Sequence, residues 1–166
     1  MKSIPYILFI VLAFCPATHA KSSFLRSLDE GKALIASSNW AAASEYFDNL
    51  RRKYPKSPDV IACVAVIRAE YRELHEAKQL FEEGLKYQPG HENCLIGLGY
   101  CEIKLGNNEA ALRVLLRATR AFPNNPYAFL GVAYAAFNLQ KTELAEDYMQ
   151  RATKLLPRNR SPKQMK

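Results

Sequence analysis

Apolar residues recur three and four apart in two stretches between Glu92 and Asn125. The first holds Leu95, Leu98, Gly99, Cys101 and Leu105 and stops at Gly106-Asn107-Asn108. The second holds Ala111, Leu112, Leu115, Ala118 and Thr119 and stops at Phe122-Pro123-Asn124-Asn125. This spacing puts the apolar side chains on one face of a helix, so the pattern predicts two amphipathic helices joined by a tight turn. The rest of the chain repeats it. Pro55, Pro89, Pro123 and Pro157 are 34 residues apart, each preceded at twelve residues by Ala43, Ala77, Ala111 or Ala145. Twelve residues earlier again stand Gly31, Ala65, Gly99 and Ala133. Three ladders in one register identify a repeat array, in which length counts stacked units that touch only their neighbours.

Four units follow: 24–57, 58–91, 92–125 and 126–159. Each is predicted as helix, turn, second helix and a proline-marked exit, since proline cannot continue a helix. Ser57-Pro58, Gly90-His91 and Asn125-Pro126 supply capping side chains or an N1 proline for the next first helix. The small ladders mark places where helix backbones approach closely; Gly99 is expected to face Ala111. A further ladder of Gly84, Ala118 and Ala152 is expected where second helices pack on the following unit, with Leu50 replacing the small residue in the first.

The 34-residue period, the order Gly/Ala–Ala–Ala–Pro and Trp40 ahead of a second helix resemble the tetratricopeptide repeat (TPR) family. The likeness covers essentially the whole chain after residue 20. Leu50, and Leu74, Asn108 and Thr142 at the counterparts of Trp40, depart from it. The resemblance implies an all-α, right-handed α-solenoid of four helix-turn-helix repeats. It also implies a concave groove, lined by the first helices, that holds a segment of a partner protein. The groove-facing positions are then Leu25, Leu28, Lys32 and Ile35; Asp59, Ala62, Val66 and Glu70; Asn93, Ile96, Tyr100, Ile103 and Lys104; and Tyr127, Leu130, Tyr134, Phe137 and Asn138. The set expected to touch a ligand is Leu28, Ile35, Val66, Ile96, Tyr100, Ile103, Tyr127, Leu130, Tyr134 and Phe137. It is apolar and grows aromatic towards the C-terminal end, which suits an amphipathic helix or an extended apolar segment. Tyr134 and Phe137 carry a second reading, as packing that closes the solenoid. Family members that clamp acidic C-termini use paired Lys and Asn. Leu28, Lys32, Cys63, Asn93 and Gly97 occupy those sites here and do not match.

Charge and termini refine the picture. The formal charge is +7, spread over Arg51, Arg52 and Lys53, over Arg113, Arg117 and Arg120, and over a basic tail at 160–166. No Lys/Arg run is interleaved with aromatics, so nucleic acid is not an expected partner. Met1-Lys2, the apolar run Ile4 to Phe14 and the small residues Ala17, Thr18 and Ala20 have the layout of a secretory signal peptide, residues 1–20. The run is too short to span a bilayer, which needs about 20 apolar residues. Cleavage would remove only Lys2 among the charges, taking +7 to +6. The expected setting is secreted, and periplasmic if the host is a Gram-negative bacterium. Leu12-Ala13-Phe14-Cys15 offers a rival lipoprotein reading, weakened by the bulk of Phe14.

Catalytic signatures are missing from the sequence. It has no Gly-rich phosphate loop, nucleophile elbow or zinc-protease motif. Cys63, Cys94 and Cys101 remain after cleavage, an odd number that reads chiefly as small apolar packing. Cys94 and Cys101 stand seven apart on one helix, about 10.5 Å along its axis, beyond disulfide reach. With His91 they match no metal-ligand spacing. No cofactor or metal is expected, and the expected role is a non-enzymatic adaptor in envelope assembly. A holdase-like chaperone for exported proteins and a thiol-redox factor are the other classes. Self-association through the last helix is a further expectation.

Overall fold

The computed structural model describes residues 16–156, and among these every regular element is helical. The eight helices are α1 (Pro16–Ala36), α2 (Trp40–Lys53), α3 (Pro58–Glu70), α4 (Leu74–Tyr87), α5 (Glu92–Lys104), α6 (Asn108–Ala121), α7 (Pro126–Asn138) and α8 (Thr142–Leu155). They form successive antiparallel pairs stacked into a helical solenoid, in which each helix packs on its chain neighbours and each first helix also meets the next first helix. No described helix is long and apolar enough to cross a membrane. Residues 1–15, with Cys15, lie outside the described residues, as do Pro157 and the tail; the expected cut after Ala20 falls within α1.

Local chemistry starts and stops each helix. Ser57, His91 and Asn125 cap α3, α5 and α7 by accepting from the backbone N–H of Val60, Cys94 and Tyr127. Such a bond satisfies an N–H that the first helical turn leaves open. Between the helices of each pair the chain reverses through one left-handed residue, at the same register each time. These are Ser38 (φ 57°), Arg72 (φ 67°), Gly106 (φ 83°) and Gln140 (φ 58°). Only the third unit places glycine where glycine costs nothing.

The core is a series of large side chains seated over small ones. Phe47 lies over Gly31, and Phe81 over Gly97. Leu115 lies over both Gly99 of its own unit and Gly131 of the next. A Cβ on Gly99 would come within 2.4 Å of Leu115. The neighbour that requires glycine there is thus Leu115, not Ala111: the small residue makes room for an isobutyl group rather than for a second small residue. Gly84 likewise makes room for the Cys94 thiol of the following unit. Polar ties join successive units as well: Arg51 meets Glu83 at 2.8 Å, and Arg68 meets Asp48. Within units, Arg68 also meets Glu73 and Glu76, and the Asn125 amide donates to Glu92 at 2.8 Å.

Candidate functional site

The first helices α3 and α5 present short side chains to a shared space that is flanked by α1 and by the start of α7. Between the second and third units, Ala62, Cys63, Ala69 and Gly97 leave a floor with little bulk, and the Phe81 ring lies beneath it. The result is an open hollow of about 1030 Å³. Ile35, Val66, Leu74, Ile96, Tyr100 and Tyr127 form its apolar walls, with Lys32, Arg72, Lys104 and Glu70 as its charged groups. Apolar surface dominates a concave space, and three cations face one carboxylate. Burial raises the Tyr100 phenol above its ordinary value, and the nearby Tyr134 and Tyr127 add to this, so the ring is a neutral wall.

The ten predicted ligand positions divide by location. Ile35, Val66, Ile96, Tyr100 and Tyr127 meet in the hollow, joined by Lys32, Ala62, Glu70, Asn93 and Lys104. Leu28 does not face it. The side chain is buried, 3% exposed, in one cluster with Phe47, Ile61 and Cys63, so it belongs to the core. Ile103 is half-buried against the cluster of Leu112, Leu115 and Val132, and Leu130 against that of Leu95 and Phe129; both spend their apolar surface on packing. Tyr134 and Phe137 line a separate depression of about 400 Å³ at the C-terminal end, with Ala133, Ala145 and Met149. Asp59 turns instead to His91, whose Nε2 lies 3.3 Å from Oδ1. Sequence reasoning missed Ala69, Arg72, Leu74 and Phe81 of the hollow, and it left Cys63, which stands at a clamp site of the family, out of the residues expected to touch a ligand. Arg72 and Leu74 flank the turn rather than standing on the first-helix face, so a helical-face search passes over them.

Burial pushes the thiols of Cys63 and Cys94 up to about 12 and that of Cys101 to about 11. Cys94 Sγ lies 3.1 Å from His91 Nδ1, but that nitrogen already accepts the Cys94 backbone N–H as the cap of α5. The arrangement holds a helix start and leaves Cys94 fully buried. Glu102, buried on α5, takes Lys78 Nζ at 2.9 Å and the Asn107 amide at 2.7 Å. Burial pushes its carboxyl up, but those bonds outweigh it and hold the group below its usual value.

Family models described as tetratricopeptide repeat match residues 28–57 and 69–133, together more than half of the chain. The chain is a tetratricopeptide repeat protein. A curated relative is the interferon-induced protein with tetratricopeptide repeats 2 of Cricetulus griseus, 29% identical over 93 residues. That match takes in 54% of this chain but only 20% of the relative. Among solved structures, a thermophilic TPR protein of Thermus thermophilus superposes with a TM-score of 0.73 at 20% identity, over 80% of this chain and 74% of that one. MamA from Desulfovibrio magneticus RS-1 gives 0.66 at 20% identity, over 80% and 75%. At such identities the structural likeness establishes the solenoid fold. Family membership makes the chain a protein–protein interaction scaffold, of a kind that typically lacks catalytic activity.

Proposed function

We propose that this TPR chain is a non-enzymatic exported adaptor whose groove holds an apolar or amphipathic segment of a partner protein. The observation that carries the reading is the hollow of about 1030 Å³, floored by small residues and walled by Ile35, Val66, Ile96 and Tyr100. Several large apolar side chains on one face of the partner segment anchor in it. The surplus of cations at Lys32, Arg72 and Lys104 favours acidic residues on either side of that anchor. Burying about 500 Å² of apolar surface yields roughly 12 kcal/mol gross at ~25 cal/mol per Å². Ordering and association offset much of this, leaving affinity on the order of micromolar, which suits an exchangeable adaptor.

Export rests on the layout of residues 1–20, with a basic start, an apolar run and small residues before Ala20. The adaptor then works in the cell envelope, in assembly or maturation of exported proteins. Intact mass of the chain recovered from its native host tests this directly. A species beginning at Lys21 supports the reading, a lipidated Cys15 replaces cleavage by anchoring, and an intact Met1–Ala20 leader overturns it. For the groove, a labelled 15-residue amphipathic peptide with acidic flanks is titrated by fluorescence anisotropy. Val66→Glu or Ile96→Glu is expected to weaken binding at least tenfold with helix content unchanged; undiminished binding refutes the groove assignment.

A further inference from the structure

Each second helix carries one large apolar residue at the same register: Phe47, Phe81, Leu115 and Met149, 34 apart. The first three are buried, and Leu115 is held on both sides, by Gly99 of its own unit and by Gly131 of the next. Met149 stands in the same relation to Ala133 as Leu115 does to Gly99, yet among the described residues no further helix covers its other side, and it is 42% exposed. Phe137 repeats the contrast. Ile103, one period earlier, packs against the cluster containing Val132 and Ala135, whereas Phe137 is 73% exposed. Tyr134, at 55% exposure, completes the patch.

We propose that this end face is a second binding site, distinct from the groove, which takes one helix of a partner protein in the place a further first helix would occupy. The array itself states what that helix must carry. Opposite Leu115 stands Gly131, with buried Phe129 two residues before it and Val132 and Ala135 one and four after it. Gly97 and Cys63 have apolar residues at the same spacings. The partner helix therefore presents a small residue over Met149, among apolar residues at those offsets.

Two features argue for a foreign helix over a second copy. In α1 the same register reads Ser27, Asp29, Glu30 and Ala33, so the N-terminal end would bring carboxylates onto Met149, and copies do not stack head to tail. A two-fold pairing of C-terminal ends would join patches of about 350 Å², from three side chains of the usual size at these exposures. A stable dimer needs roughly 800 Å² from each partner. Glu146 and Gln150, standing where the preceding unit has Leu112 and Leu116, rim the patch with polar groups and confine it to the width of one helix.

The test uses the full chain and a labelled peptide with the sequence of residues 92–105, its two cysteines replaced by alanine, as a helix of the required pattern. Saturable binding is expected in fluorescence anisotropy. It should weaken at least tenfold when the peptide carries Gly97→Leu, and at least tenfold when the chain carries Met149→Asp or Phe137→Asp. Ile96→Glu in the groove should leave it as it was. Phe137 is exposed, so that variant carries the test if Met149→Asp misfolds. The proposal falls if binding is not saturable, survives both end-face variants, or disappears with Ile96→Glu. It falls equally if light scattering finds a doubled mass that Phe137→Asp returns to one chain, since a second copy then fills the face.

Discussion

Truncating the same repeat position in two units isolates what the paired glycines contribute. Leu115→Ala removes three carbons that are out of water, a transfer loss of about 2.4 kcal/mol at ~0.8 per methylene. The space left behind is bounded on two sides by the Gly99 and Gly131 backbones, which have no side chains to swing into it. Leucine-to-alanine changes range over about 2–5 kcal/mol according to how far the site collapses, so the cost here belongs near 4 kcal/mol. At roughly 3 °C per kcal/mol for a chain of this size, the melting temperature falls by about 12 °C. Met149→Ala deletes as many atoms at the equivalent register, but its side chain is already 42% exposed and one wall is missing, so about 1 kcal/mol is expected. Urea unfolding followed by helix circular dichroism measures both. Leu115 also joins the third unit to the fourth, so its truncation should broaden the transition as units begin to unfold separately. Equal losses in the two variants, or a loss under about 1.5 kcal/mol at Leu115, would refute the argument that opposed glycines lock the second-helix side chain.

Other positions give independent checks. Arg72→Gly or Gln140→Gly relieves a left-handed residue that costs about 1–2 kcal/mol with a side chain, less the extra freedom glycine gains when unfolded; a net gain of about 0.5–1 kcal/mol is expected in thermal melts, and Gly106→Ala should lose about 1. With thiols pushed up to about 12, 12 and 11, Cys63, Cys94 and Cys101 should resist a thiol reagent at pH 8 for hours and react at once in denaturant; fast labelling of the native chain would revive a thiol-redox role. The Glu102 carboxyl is depressed in the folded chain, so its contribution is present above the unfolded value near ~4.3 and is lost as pH falls through the folded one. Lys78→Met should remove about 1–3 kcal/mol at pH 7 and flatten the acid limb of a stability–pH curve, and an unchanged acid limb would place that dependence elsewhere.

The architecture was legible because repetition reports the same fact four times. Prolines, alanines and glycines in one register specify helix ends and close approaches whichever side chains surround them. What a ladder does not carry is the rotation of one helix against its partner, which decides whether Gly99 meets Ala111 or Leu115. The site was harder to read for a related reason. The hollow exists because Ala62, Cys63, Ala69 and Gly97 are short, and of these the search along the helix face named only Ala62. Leu28 and Ile96 hold the same repeat position, yet one is core and the other groove wall. Their difference comes from the neighbouring helices and is not encoded in either residue.

The polar register of α1 gives the molecule a direction of growth. A duplicated unit spliced between Asn125 and Pro126 would find Leu115 ahead of it and Pro126–Asn138 behind it, and so would inherit a seat at both ends. The same unit grafted ahead of Phe24 would have to lay its own second-helix side chain against Asp29 and Glu30. An inserted unit therefore meets matching partners on both sides, whereas a second-helix side chain laid against α1 would face the carboxylates of Asp29 and Glu30.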